Sequence, residues 1–243
     1  PSTLTKFLKF NENELINYFS SVRLIITNST KIPIKTIQIF KKILSNGHLA
    51  TYYGLTEASR STFMVFEEDS SFDESVGQPA QNVEIKIIND KNIKSEKGEI
   101  WIKGNNVIKK YWENEFADKN IVDGWLKTGD LGYFDNYGYL YILGRTDDII
   151  NIGGEKVMPE EIETIVKKIN GVEDVAAFGI DNDIFGQVIK LHVVKASNSN
   201  LDKSQILSYC IKHLEKYKIP TKIDFVLNIP KTDYGKVKRF MLK

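Results

Sequence analysis

Val22-Arg23-Leu24-Ile25-Ile26-Thr27 is an apolar run of strand character, and the segments on its C-terminal side decide the fold. Ile34, Ile37, Phe40 and Leu44 recur close to the helical period, and a second short run covers residues 48–53. Strand, helix, strand in that order predicts a parallel sheet with helices on its faces. Open sheets of this kind place their ligands where the chain leaves a strand. Here that turn is Tyr53-Gly54, within Tyr52-Tyr53-Gly54-Leu55-Thr56-Glu57.

Downstream the texture changes. Residues 77–143 hold short alternating stretches, among them Val83-Ile85-Ile87, Ile100-Ile102 and Tyr139-Leu140-Tyr141-Ile142, punctuated by glycine and asparagine. They predict a small β-barrel or curled sheet. Beyond Gly144 the pattern is mixed. One helix carries Ile162, Ile165, Val166 and Ile169 on a face, strands cover 172–180 and 187–195, and a second helix presents Leu207, Cys210, Ile211 and Leu214 as its apolar side. This predicts a separate α+β domain. The junction Gly144-Arg145-Thr146-Asp147-Asp148 is short and polar, as a hinge would be.

Composition narrows the class. With 42% hydrophobic and 27% charged residues and a net charge of +1, nothing favours a nucleic-acid partner. Cys210 is the single cysteine and cannot form an internal disulfide, and no signal sequence opens the chain, so a reducing cytoplasm is expected. No apolar run approaches the roughly 20 residues that span a bilayer, so no transmembrane segment is expected. His48, His192 and His213 lack metal-ligand spacing, and Cys210 reads as a core residue.

Five motifs then occur in order: Tyr53-Gly54-Leu55-Thr56-Glu57, Gly98-Glu99-Ile100-Trp101-Ile102-Lys103-Gly104, Trp125-Leu126-Lys127-Thr128-Gly129-Asp130-Leu131, Gly144-Arg145-Thr146-Asp147 and Gly235-Lys236-Val237. Each alone is weak. Together, from about Ser21 onward, they closely resemble the acyl-adenylate-forming superfamily of acyl-CoA ligases, peptide-synthetase adenylation domains and luciferases. The resemblance implies an α/β and α+β architecture. Residues 1–144 would end a large AMP-binding domain, with 77–143 as its β-barrel subdomain, and 145–243 would form a small mobile domain. It further implies that a carboxylic acid is activated with ATP as acyl-AMP and passed to the thiol of CoA, with release of AMP.

Such chemistry brings two negatively charged groups together, so it requires cations and aimed donors. By resemblance, Thr56 and Glu57 supply the hydroxyl and carboxylate near the α-phosphate and Mg²⁺. Taken alone, Glu57 would cap a helix entering Ala58-Ser59. Asp130 would accept from both ribose hydroxyls, Arg145 would donate to the same ribose, and Tyr53 and Ile142 would flank adenine beside Gly54. The alternatives are a surface pair of Asp130 with Arg145, worth at most about 1 kcal/mol, and a core aromatic at Tyr53. Lys236, in Lys231-Thr232-Asp233-Tyr234-Gly235-Lys236-Val237, resembles the catalytic lysine of adenylation; by composition alone it is a solvated charge. Asp147 matches the hinge position. Gly153, Gly154 and Glu155, in a loop that leads to Pro159 at the start of a helix, would line the thiol side.

Two departures stand out. The family's glycine-rich, Ser/Thr-rich loop ending in lysine has no counterpart before Ser20, so the chain is expected to be a fragment that adenylates poorly alone. Thr27-Asn28-Ser29-Thr30-Lys31-Ile32-Pro33 also stands where many relatives have Ser-Gly-Gly-Ala-Pro. Besides a CoA ligase, the motifs fit an enzyme loading a carrier protein's phosphopantetheine arm. A non-catalytic adenylate-binding module is a further alternative, and a luciferase-like oxidoreductase is a distant one.

Overall fold

In a computed structural model, residues 2–28, 30–67, 70–111, 119–233 and 235–242 are described. Ser29 of the 27–33 stretch and Tyr234 of the 231–237 motif lie outside them. The chain divides into two units, residues 1–142 and 143–243.

In the first unit, helices α1 (Ser2–Phe7) and α2 (Glu12–Phe19) precede strand β1 (Leu24–Thr27), which begins two residues later than the apolar run. Helix α3 (Ile34–Ile43) leads to β2 (His48–Thr51), which lies parallel to β1 with Leu24 opposite His48. The helical spacing has its physical consequence here: Ile37, Phe40 and Ile43 are fully buried on one face of α3. Phe19 meets Phe40 edge-on, with ring centroids 5.8 Å apart, so α2 covers the same core. Truncating Phe40 to alanine would cost about 3–5 kcal/mol. Two antiparallel strands, β3 (Thr62–Phe66) and β4 (Gln78–Pro79), complete a mixed sheet of order β1-β2-β3-β4.

The region expected to be a small β-barrel or curled sheet is an antiparallel sheet of β5 (Val83–Ile88), β6 (Lys97–Gly104), β7 (Ile121–Val122), β8 (Trp125–Phe134) and β9 (Leu140–Arg145). Ile87, Ile100, Ile102, Leu126 and Leu140 form its core, with Tyr53 and Ile142 packed against them. Strand β8 is legible in the sequence only as a motif. Its alternation of buried and half-buried residues is the period-two signature that Thr128, Gly129 and Asp130 conceal, because glycine and aspartate are poor strand formers by type.

In the second unit, β10 (Ile150–Ile152) and β11 (Glu155–Val157) form a hairpin, followed by helix α4 (Pro159–Val166) with Pro159 in its first turn. Long antiparallel strands β12 (Val172–Asn182) and β13 (Gly186–Lys195) come next, then helix α5 (Lys203–His213) and β14 (Lys222–Phe225), parallel to β13. A capping box starts α5: Gln205 N–H donates to the Asp202 carboxylate at 2.8 Å, and Asp202 N–H donates to the Gln205 side chain at 2.9 Å. The apolar face expected on this helix needs correction. Ile206 and Cys210 are fully buried, whereas Leu207 and Ile211 are 37% and 57% exposed. One turn separates 206 from 210, so that pair meets the sheet and the neighbouring aliphatic residues point outward. Among the described residues no helix is long and apolar enough to cross a membrane.

Candidate functional site

The Tyr53 to Ala58 segment is a tight turn. Leu55 N–H donates to Ala58 O at 3.1 Å and Ala58 N–H to Leu55 O at 3.2 Å, which puts Thr56 and Glu57 at the tip. Thr56 is exposed and Glu57 half-buried. Glu57 therefore caps no helix, contrary to the local alternative, since residues 58–60 turn back toward β3. Instead, its backbone carbonyl accepts from Ile108 N–H at 2.8 Å, and its carboxylate accepts from the Tyr111 hydroxyl at 3.0 Å. Gly54 is required for space. A Cβ there would stand 2.6 Å from Arg60 N and 2.7 Å from Ala58 O, both backbone atoms that cannot yield.

Asp130 is aimed by a bulge. Between the pairs Glu99–Leu131 and Trp101–Lys127 the register shifts, so that residues 128–130 of β8 face Ile100 alone. Gly129 takes a φ of +70°, which suits glycine, and its N–H donates to the Glu99 carboxylate at 3.0 Å. Thr128 donates its hydroxyl to Ile100 O at 2.7 Å and accepts from Asp130 N–H at 3.0 Å. The result is an aspartate only 9% exposed whose carboxylate accepts the Tyr53 hydroxyl at 2.6 Å. A charge-assisted bond of that length orients both partners. The structure thus joins Tyr53 and Asp130, 77 residues apart in sequence, and sets Ile142 against the same apolar cluster as Tyr53. Glu99 and Thr128 hold this arrangement and Tyr111 holds the Glu57 carboxylate, although sequence reasoning assigned them no individual role. Glu99 and Thr128 lie inside two of the five ordered motifs, and that position was the one available signal.

The remaining expected residues lie in the second unit. Arg145 ends β9 and stands 3.6 Å from the Asp147 carboxylate, a largely exposed pair. Asp147 sits in a 3-10 turn over Thr146–Asp148 and does not adopt a positive φ. The loop expected at Gly153 and Gly154 is the tip of the β10–β11 hairpin. Both glycines have positive φ, +58° and +95°, as a two-residue hairpin turn of this kind demands. Gly153, Gly154 and Glu155 are exposed, and Gly153 N–H donates to Phe185 O at 2.8 Å. Lys236 is exposed on a turn in which its N–H donates to the Thr232 hydroxyl at 3.1 Å and its carbonyl accepts from Thr232 N–H at 2.8 Å.

A cluster that the sequence did not single out surrounds Arg239. Its guanidinium meets Asp148 at 3.0 Å, Glu160 at 3.0 Å and Glu163 at 2.8 Å. Burial pushes the Glu160 carboxyl up to about 7, and the neighbouring Glu163 and Asp148 add to this against the pull of Arg239. Burial raises Glu163 as well. Among the described residues, no group of three or more His, Cys, Asp or Glu side chains is arranged to hold a metal ion.

Comparison with known proteins places the chain. The AMP-binding enzyme family matches residues 1–112, and the AMP-binding enzyme C-terminal domain matches residues 161–236. The likeness therefore starts upstream of Ser21, where the ordered motifs alone would begin it. A long-chain-fatty-acid–CoA ligase of Salmonella typhimurium is 35% identical over 82% of this chain and 36% of its own length. An oxalate–CoA ligase of Arabidopsis thaliana is 36% identical over 77% of this chain and 37% of its own. Among solved structures, o-succinylbenzoate CoA synthetase of Bacillus subtilis in complex with its acyl-adenylate intermediate superposes with a TM-score of 0.82 at 31% identity, covering 96% of this chain and 49% of that one. The chain thus spans about half or less of the proteins it matches. With both family matches, these relatives and this superposition, the chain belongs to the acyl-adenylate-forming superfamily.

Proposed function

We propose that this chain is part of an AMP-forming acid–thiol ligase. A carboxylate oxygen attacks the α-phosphorus of ATP, the bond to the β-phosphate oxygen breaks and pyrophosphate leaves. The thiol of CoA, giving up its proton, then attacks the acyl carbon, and AMP departs. The observation that carries this reading is the Tyr53–Asp130 pair: a buried carboxylate, aimed by a bulge, beside an aromatic ring at the edge of a parallel strand pair. In the proposed roles Asp130 accepts from the ribose hydroxyls, Arg145 donates to the same ribose, and Tyr53, Gly54 and Ile142 border adenine. Mg²⁺ would take hard oxygen ligands from Thr56 and Glu57 at the exposed turn tip and fill its remaining positions with phosphate oxygens and water. Their donor chemistry fits that ion. Lys236 would neutralise charge between carboxylate and phosphate, Asp147 would be the point of backbone change between the half-reactions, and Gly153, Gly154 and Glu155 would border the thiol. Relatives named for a long-chain fatty acid and for oxalate stand at 35% and 36% identity, so overall similarity does not select the acid.

The test uses the full-length protein, wild type beside Lys236→Ala, with a panel of carboxylic acids and pyrophosphate release followed with and without CoA. The expected result is acid-dependent release that falls by roughly a hundredfold or more in the variant, with AMP and acyl-CoA formed only when CoA is present. Wild-type release that no acid stimulates would overturn the reading. Acid-dependent release whose acyl group reaches a carrier protein's phosphopantetheine and not CoA would move the acceptor to the carrier.

A further inference from the structure

The turn that carries Lys236 is closed on itself and clamped at both ends. Lys231 and Val237 bridge its two legs, Gly235 N–H donates to Thr232 O at 2.8 Å, and Lys238 N–H donates to Pro230 O at 2.9 Å. Gly235 takes a φ of +87°, and a Cβ there would meet nothing within 4 Å, so the backbone angle and not crowding calls for glycine. On the first leg Lys231 pairs with Asp174 at the start of β12, and on the second leg Arg239 is anchored.

The second anchor is the stronger. The Arg239 side chain is 10% exposed and reaches three segments of its unit at once: Asp148, next to Asp147 in the 3-10 turn; Glu160 and Glu163 on α4; and Ala177 O on β12, to which its Nε donates at 3.3 Å. Glu163 is itself fixed, accepting from Ala177 N–H at 2.8 Å. Glu160 packs against the backbone just ahead of the turn, since a Cβ at Gly144 would stand 2.6 Å from Glu160 Oε2. Arg239 is three residues from Lys236. A planar guanidinium with several donors can tie three partners in one geometry, which a lysine ammonium on its flexible stem cannot.

We propose that Arg239 is a positioning residue for Lys236, holding the Lys236 turn in fixed register with the Asp147–Asp148 segment through the partly buried carboxylates of Asp148, Glu160 and Glu163. The proposal rests on Lys236 being the adenylation cation. It deepens that reading by naming the group that fixes where the cation is presented. Arg239 acts only through Lys236, so it matters for the half-reaction that uses Lys236 and not for the other.

The experiment compares wild type, Arg239→Lys, Lys236→Ala and the double variant in the full-length protein. Arg239→Lys keeps the charge, so the unit remains folded, but loses the fork. It is expected to lower pyrophosphate release by on the order of 10- to 100-fold, the scale set by a small misplacement of a catalytic group. Transfer to CoA from supplied acyl-adenylate should change by less than about twofold. In the Lys236→Ala background the same substitution should have no further effect on pyrophosphate release. If both half-reactions fall by one factor, or if Arg239→Lys slows the Lys236→Ala enzyme as much as the wild type, Arg239 merely stabilises the unit and the proposal fails. Hydrogen exchange gives a readout independent of activity: the amides of residues 235–242 should exchange faster in Arg239→Lys while β12 and β13 are unchanged. Unchanged protection of that segment also overturns the proposal. A wild type that adenylates no acid would defeat the ligase reading alone, because the exchange comparison still decides whether Arg239 holds the turn.

Discussion

Asp130 and Arg239 are both nearly buried charged groups, yet they are held by opposite means. Asp130 is fixed by the local course of one strand: a bulge at residues 128–130, a glycine at positive φ and a neighbouring threonine, with Tyr53 the distant partner. Arg239 is fixed chiefly by charge, through three carboxylates far from it in sequence. A site built by backbone geometry leaves a compact motif, because the residues that bend the strand are adjacent. A site built by long-range ion pairs leaves scattered acids and one arginine, which resemble an ordinary charged surface. The two also differ in what disturbs them, for a bulge answers to changes in backbone geometry and a cluster of acids around one cation answers to changes in charge.

The largest effect should come from Arg239→Met. Removing the cation strands Asp148, Glu160 and Glu163 in a poorly solvated cluster and should destabilise the second unit by about 3–5 kcal/mol. Urea unfolding measures this, and Cys210 is a convenient probe because it is fully buried and burial pushes its thiol up to about 11. It should react with a thiol reagent only on unfolding. A loss below about 1 kcal/mol would erase the contrast between the two groups, since that is what an exposed pair is worth. Next in size is Tyr53→Phe. It deletes one hydrogen bond to a carboxylate and should cost the first unit about 1.5–3 kcal/mol in urea unfolding, leaving the bulge intact. If the backbone amide of Asp130 lost its exchange protection in that variant, Tyr53 and not the strand would be fixing the bulge.

A pH series separates the two groups further. The Glu160 carboxyl is raised from its ordinary 4.5 to about 7, so the folded unit binds this proton more tightly than the unfolded chain does. Its stabilising contribution is complete below pH 4.5 and is lost as pH rises through about 7. The second unit should therefore weaken between about pH 5 and pH 8, and Glu160→Gln should flatten that dependence. A slope that survives the substitution would assign the titration elsewhere. The smallest effect belongs to Lys231→Ala, whose partly exposed pair with Asp174 should contribute no more than about 1 kcal/mol. Were Lys231→Ala to cost as much as Arg239→Met, the two legs of the Lys236 turn would be equal anchors.

Several elements were legible from sequence, and the reasons are local. Helix α3 shows its face in Ile37 and Phe40, and the hairpin strands β12 and β13 show theirs as apolar runs of strand length. Others were misjudged where local pattern was ambiguous. Helix α5 has apolar residues at 206, 207, 210 and 211, which offers two candidate faces, and only the sheet it packs on chose Ile206 and Cys210. At Gly153-Gly154 the expected loop is a two-residue hairpin turn, and what escaped the sequence is the pair of three-residue strands beside it, too short to show a period.

The superfamily, the strands that carry an apolar run and the short motifs around Gly54, Asp130 and Lys236 are written in the linear chain, because each rests on neighbouring residues whose types restrict backbone angle, space or charge. Three contacts came from tertiary packing alone: the Tyr53 hydroxyl on Asp130, Glu57 bound to Tyr111 in place of capping a helix, and Arg239 drawing Asp148, Glu160 and Glu163 together. They join residues distant along the chain, and which distant groups meet is set by the packing of strands and helices that brings them within hydrogen-bonding reach.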